Sequence, residues 1–154
     1  PFTINFKTEN IGGFENRITH ATLNINDQRL DFIGLHVLSP RTSERLMIHN
    51  QQLAATGRYI LSTSIPEGTP LIVAGDMNSA VWRPTFSDFM KTVGVSPTSS
   101  LLSLPLTWPS WLPYPLQIAI DQILVSPHLC HTDLKRAAYS GSDHFPVYVD
   151  LHGC

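Results

Sequence analysis

Leu71-Ile72-Val73-Ala74-Gly75-Asp76-Met77-Asn78 joins four apolar residues to a glycine, then sets an acid and an amide two positions apart. A short apolar run bounded by turn residues predicts a strand buried on both faces and ending in a polar tip. Side chains two apart on extended chain point to the same side, so Asp76 and Asn78 should lean into one space. Gly75 lets the backbone come close to whatever sits there. Alone, an acid and an amide after a strand describe a turn as readily as a site. Their weight comes from Ser142-Asp143-His144-Phe145-Pro146-Val147 further along, which adds a second acid and a histidine.

The rest of the chain suits one folded domain. It has 154 residues, 42% apolar and 14% charged, a balance that excludes a disordered chain. A formal net charge of −2 with no basic block argues against strong nonspecific binding to a phosphate backbone. No apolar run reaches the length of a membrane span, and the N-terminus lacks the regions of a signal peptide. Cys130 and Cys154 lack metal-motif spacing; they exclude a disulfide scaffold and leave a single bridge open. Pro1-Phe2-Thr3-Ile4 opens without an initiator methionine and reads as the interior of something longer.

Arg17 to Ile25 alternates loosely, Asn26-Asp27-Gln28 supplies turn chemistry, and Leu30 to Leu35 resumes an apolar run, which predicts a hairpin ending at His36. Ser39-Pro40 is a cap followed by a first-turn proline and predicts a helix, with Leu46, Leu53, Ala54, Gly57, Ile60 and Leu61 on its apolar face. Phe86, Phe89, Met90 and Val93 predict a second helix, stopped by Gly94. The proline-rich stretch 96–115 reads as a structured loop anchored by Trp108 and Trp111. Strands are expected over 118–125 and 148–151, with a weaker one over 136–139. The order β-β-α-β-α-β-β-β is mixed and suits two packed sheets with outer helices.

Polar residues gather at the strand ends: His36, Asp76 and Asn78, Asp121, then Asp143 and His144. Carboxylate and amide oxygens suit a hard cation such as magnesium, whose shell a phosphoryl oxygen can complete. A histidine beside an acid can work as a general base or position a water. Asp121 sits inside the apolar run Ile118-Ala119-Ile120-Asp121-Gln122-Ile123-Leu124-Val125. A buried carboxylate is costly without a partner, and His144 is the partner expected for it.

Taken in order, Leu35-His36 with Ser39-Pro40, Gly75-Asp76-Met77-Asn78, Thr107-Trp108-Pro109, Ile120-Asp121-Gln122-Ile123-Leu124-Val125-Ser126 and Ser142-Asp143-His144-Phe145-Pro146-Val147 resemble the motifs of the endonuclease/exonuclease/phosphatase superfamily. The resemblance implies a DNase I-like α/β (α+β type) fold, a four-layer α/β/β/α sandwich of two mixed sheets with outer helices. It implies a metal-dependent phosphoesterase that hydrolyses a phosphate mono- or diester with water, using Mg2+ or Mn2+ and forming no covalent intermediate. Asp76 would orient or deprotonate the water, and Asn78 would hold it and the phosphoryl oxygens. His144, oriented by Asp121, would act as base or as donor to the phosphate. His36 would stabilise developing charge. Asp143, with Asp76 and Asn78, would bind metal. The substrate would be a nucleic acid, a nucleotide, an inositol phosphate or a lipid head group. The tryptophan-proline motif resembles a bacterial subgroup often found behind membrane-spanning helices, which leaves the compartment open.

The chain also departs from the pattern. The family's metal-binding glutamate and an asparagine on its first strand lie in the N-terminal part of the domain, and Glu9, Glu15, Glu44 and Glu67 match no motif. Residues 1–154 are therefore expected to be about the C-terminal 60% of a single such domain. The expectation is a fragment with little activity of its own, self-associating through a sheet face or edge left uncovered. The alternative is a noncatalytic binding or scaffold module that keeps the fold. A phosphatase with an aspartyl nucleophile fits less well, because Asn78 stands where a second acid is needed.

Overall fold

Alternating burial is clearest on the third strand of the sheet on which everything else rests. In the computed structural model, which describes residues 2–11, 17–63, 65, 68–100 and 104–154, β1 (Phe2–Asn10), β2 (Arg17–Ile25) and β3 (Gln28–His36) form an antiparallel meander. Asn26 and Asp27 make the two-residue turn between β2 and β3, both at positive φ (49° and 66°), as a tight right-twisted hairpin requires. β4 (Leu71–Asp76) runs parallel to β3; β6 (Asp121–Val125) and then the short β5 (Ser96–Pro97) complete a six-stranded mixed sheet in the order β1-β2-β3-β4-β6-β5. β7 (Leu129–His131) pairs with β10 (Leu151–Gly153), and β8 (Lys135–Arg136) with β9 (Val147–Tyr148), as two short ribbons. The fold is mixed α+β, as expected.

Helices α1 (Ser43–Ser62) and α2 (Pro84–Val93) supply the core's second layer. Ile18, Ile33, Leu35, Leu71, Val73 and Leu124 on the strands meet Leu53, Ile60, Phe86 and Phe89 on the helices. Gly94 stops α2 in the left-handed region, φ 76°, and its N–H caps the Met90 carbonyl.

Several expectations need correction. The opening residues, expected only as a chain boundary, form β1. β4 is buried on one face alone: Leu71 and Val73 face the helices, whereas Ile72 and Ala74 are half-buried. α1 begins at Ser43 with Thr42 as its cap, three residues after Pro40. The chain before Pro40 is tied to the helix, since Gln52 accepts from the Leu38 N–H and the His49 ring meets the Leu38 carbonyl. His49 and Gln52 are buried with those bonds, and Thr56, which donates to the Gln52 carbonyl, is buried beside them, whereas Ala54 and Leu61 are exposed, reversing part of the expected face. Residues 118–120 precede the strand, with Ile118 bridged to Trp108. Cys130 and Cys154 form a disulfide that ties the C-terminus to β7. Ile4, Phe6 and Ile25 are exposed on β1 and β2. Glu15 and Glu67 lie outside the described residues; Glu9 pairs with Lys7, and Glu44 sits in the first turn of α1.

One charged group lies fully inside. Asp31 is 0% exposed and accepts from Arg29 (2.6 and 3.0 Å) and Thr22 (2.9 Å), with His20 Nε2 at 2.7 Å. Burial alone would raise its carboxyl, but Arg29, His20 and Thr22 outweigh that and hold it below the ordinary carboxylate range. A carboxyl lowered by folding contributes stability above its unfolded value, near 4, and loses that contribution as pH falls through the folded value. Arg29→Ala should cost about 2 kcal/mol at pH 7, and much less once acid has protonated Asp31. Urea unfolding of both proteins at pH 7 and at successively lower pH checks this.

Candidate active site

Strand register assembles the site. His36 pairs with Asp76 across β3 and β4, and Asp76 pairs with Asp121 across β4 and β6, so three expected residues stand in one row. The ladder continues past the row: the Val37 N–H donates to the Asp76 carbonyl (3.0 Å) and the Met77 N–H to the Ile120 carbonyl (2.9 Å). The row is therefore held where side-chain placement matters.

Gly75 is what lets β4 reach its end. Its φ is +145°, and an added Cβ would lie 1.8 Å from the Leu35 carbonyl oxygen. Beyond it the chain turns, with Asn78 at φ 45°. The Asn78 N–H donates to Asp76 Oδ1 (2.8 Å), while its amide Nδ2 donates to Asp76 Oδ2 and the Val37 carbonyl (both 2.9 Å). Reversing the amide would set an oxygen against two acceptors, so Oδ1 is the atom left to face a ligand. Asn78 thus offers an acceptor, with both amide donors engaged.

The 142–146 turn brings the histidine over. His144 Nδ1 lies 2.8 Å from Asp121 Oδ2, and its Nε2 lies 3.9 Å from Asp76 Oδ2. The same Asp121 oxygen accepts from Thr107 Oγ1 at 2.5 Å. With a carboxylate at Nδ1, that nitrogen carries a proton and Nε2 addresses Asp76. Two backbone links hold the turn: Ser110 N–H to the Asp143 carbonyl (2.8 Å) and Phe145 N–H to the Thr107 carbonyl (3.0 Å). Asp143 Oδ2 accepts from the Trp108 indole at 3.4 Å. His36 is the outlier in burial: its side chain is 76% exposed, with Nε2 3.5 Å from Asp76 Oδ2.

The charges are not at their ordinary values. Burial pushes the Asp76 carboxyl up; the Asn78 N–H, His144 and His36 oppose this, while the neighbouring Asp121 charge adds to it. Burial works against the charged form of His144, but the hydrogen bond and charge of Asp121, with Asp76 and Asp143, hold the imidazole above the usual histidine range.

All six expected residues, His36, Asp76, Asn78, Asp121, Asp143 and His144, line one cavity of about 700 Å3. Ser39, Pro40, Arg41, Trp108, Ile118 and Ile120 complete it. The sequence reading missed three features. Arg41 follows the quoted Ser39-Pro40 and was passed over as helix. Thr107 was quoted but given no role. Trp111, expected as a loop anchor, is 67% exposed and meets the Trp108 ring edge to face.

Among solved structures, the chain is similar to the human Nocturnin catalytic domain with bound sulfate anion, at 17% identity and TM-score 0.79, over 99% of this chain and 60% of that one. It is similar to D. rerio TDP2 complexed with a single-strand DNA product, at 18% identity and TM-score 0.70, over 97% of this chain and 68% of that one. It is also similar to a Bacteroides thetaiotaomicron mannosyl-6-phosphatase, at 18% identity and TM-score 0.66, over 89% of this chain and 57% of that one. At these identities the likeness is one of fold. The chain spans about 60% of the length of the Nocturnin domain. No curated protein sequence matches it. No described helix is long and apolar enough to cross a membrane. The model of the endonuclease/exonuclease/phosphatase family matches residues 5–144, and the chain belongs to that family.

Proposed function

We propose that this chain carries the catalytic core of a metal-dependent phosphoesterase, which hydrolyses a phosphate mono- or diester by direct attack of water. The observation that carries the reading is His144, held at Nδ1 by Asp121 and facing Asp76 across a cavity that also presents His36 and the Asn78 amide. Family membership supports it. So do the relatives named for a bound sulfate, a DNA product and a mannosyl-6-phosphatase, whose common chemistry is a tetrahedral oxyanion.

In this reading Asp76 orients the attacking water and draws its proton, while Asn78 Oδ1 accepts from the same water and fixes its direction. His144, charged and aimed by Asp121, donates from Nε2 to a phosphoryl oxygen as negative charge builds there. His36, open to solvent at the cavity mouth, adds a second donor. Asp121 is a positioning residue: it acts through His144.

The donor set fits a hard cation in part. Asp76, Asp143 and Asn78 offer carboxylate and amide oxygens and no thiolate, which is the chemistry of Mg2+ or Mn2+. Among the described residues no group of three or more His, Cys, Asp or Glu stands close enough to hold an ion unaided. Mg2+ is commonly held by one or two carboxylates, with water and phosphate filling the shell. When bound, the ion would supply Lewis-acid polarisation of the phosphoryl group. From this sparse donor set we expect residues 1–154 alone to bind Mg2+ weakly and to turn over little.

The test is Mg2+ titration calorimetry and hydrolysis of bis(p-nitrophenyl) phosphate by the protein that carries this chain. Asp76→Asn should abolish most turnover, by about 1000-fold, with unfolding unchanged within a few degrees. Metal removal with EDTA should do the same reversibly. A protein inert before and after the substitution, yet well folded, would favour the scaffold reading.

A further inference from the structure

A second cleft, of about 560 Å3, opens beside the phosphate cavity and shares Asn78, Ile118 and Ile120 with it. Its walls come from the turn after Asn78 and from the proline-rich segment: Ala80, Trp82, Leu104, Leu106 and Ala119 are among them. The volume falls in the range of small-molecule sites. Trp82 is 66% exposed and Ile118 is 48% exposed, so large apolar groups face the opening where a ligand would lie.

We propose that this cleft is the subsite for the organic part of the phosphate ester, and that it selects an uncharged, apolar or aromatic group over a polyhydroxylated one. The inference rests on the phosphoesterase reading. Three observations carry it. The first is continuity: the cavity that gathers Asp76, Asn78 and His144 shares the walls Asn78, Ile118 and Ile120 with this cleft, so a phosphate ester in the one has the other within reach of its substituent.

The second is what the lining withholds. Recognition of a sugar or inositol needs several convergent donors and acceptors, and here Asn78 Nδ2, Gln117 and Ser79 already have partners, which leaves Asn78 Oδ1 as an acceptor open to a ligand. Asn78 Nδ2 is engaged by Val37 and Asp76. Gln117 donates to the Leu112 carbonyl (2.7 Å) and accepts from Arg136 (2.8 Å). The Ser79 hydroxyl turns to the Ala80 carbonyl at 3.5 Å. Hydroxyls desolvated against such walls would go unpaired, at the cost of an unmade hydrogen bond each. Arg83 is the cation of this lining, and Trp82 is its large aromatic side chain.

The third is charge. No Asp, Glu, Lys or Arg occurs between Lys91 and Asp121, the segment that supplies half of the wall. Nothing in it repels an apolar group or attracts a polyanion. The segment is also tied down: Arg136 Nη1 donates to the Leu106 carbonyl (3.1 Å) as well as to Gln117, and its guanidinium packs on Tyr114 and Phe145. The cleft wall is thus built in place.

Equilibrium binding separates the possibilities without requiring turnover. Phenyl phosphate, butyl phosphate and glycerol 3-phosphate, each titrated with Mg2+ into the protein that carries this chain, present one phosphate with three different substituents. The phenyl or butyl ester should bind about tenfold tighter than the glycerol ester. A gain with phenyl alone assigns a ring to the cleft, and a gain with butyl alone an acyl-type chain. Leu106→Asp should remove the preference and leave glycerol 3-phosphate binding within about twofold. Trp82→Ala, at an exposed position that folding does not depend on, should lower the preference by about threefold, and decides the matter if Leu106→Asp fails to fold. Equal binding of all three esters, or a preference surviving both substitutions, overturns the subsite and leaves the phosphate reading intact. No binding of any ester overturns the phosphate reading and the subsite with it.

Discussion

His144→Ala should lower kcat by about 1000-fold, Asp121→Asn by about 100-fold, and the double variant no further than His144→Ala alone. The asymmetry follows from the contacts. In the proposed mechanism His144 Nε2 is the atom that meets the reacting groups, whereas Asp121 acts only through Nδ1, 2.8 Å away. An asparagine at 121 can keep its oxygen in the place where Thr107 and His144 both donate, so the ring keeps its orientation and loses only the charge that favours imidazolium. With the ring gone, Asp121 has nothing left to orient. Multiplying losses in the double variant would mean that Asp121 touches substrate or metal directly. Steady-state kinetics on bis(p-nitrophenyl) phosphate, with thermal unfolding measured alongside, reads all three.

That arrangement was legible in the sequence to an unusual depth, and for a physical reason. Each site residue sits where an apolar run stops or is interrupted: Asp76 after Leu71–Ala74, Asp121 within Ile118–Val125, Asp143 and His144 before Phe145. Buried strands announce their ends by such breaks, and charge inside an apolar run demands a partner. That demand marked Asp121 as needing a partner, and the structure supplies His144 at 2.8 Å. What stayed hidden depends on contacts between backbone and side chain, which no periodicity records. The burial of His49, Gln52 and Thr56 on α1 is set partly by the Leu38 peptide, not by hydropathy. β1 exposes Ile4 and Phe6 while its partner strand turns His20 inward to Asp31, so neither strand shows a clean apolar face. The apolar cleft is likewise formed by segments far apart in sequence, and its residues read singly as loop.

Gly75→Ala should cost more than about 4 kcal/mol, enough to lower the melting temperature by about 10 °C or more. Two penalties coincide at this position. The backbone stands at φ +145°, a region that L side chains rarely adopt, and the new methyl would lie 1.8 Å from the Leu35 carbonyl oxygen. A backbone carbonyl cannot swing aside as a flexible side chain can. Relief therefore requires β3 and β4 to part at Leu35 and Gly75, directly paired one step before His36 and Asp76. Opening there would stretch the Val37–Asp76 backbone bond and carry His36 away from Asp76, so the surviving folded fraction should also be a poor catalyst. Gly94→Ala is the control. It too has positive φ, 76°, but its added methyl meets nothing within 4 Å, so the cost should be about 1 kcal/mol. Thermal unfolding of the pair distinguishes strain shared by both glycines from the close approach found only at Gly75. Equal losses would mean that β3 and β4 can separate freely at their polar ends, and that the row His36–Asp76–Asp121 is held by something other than the strand pairing.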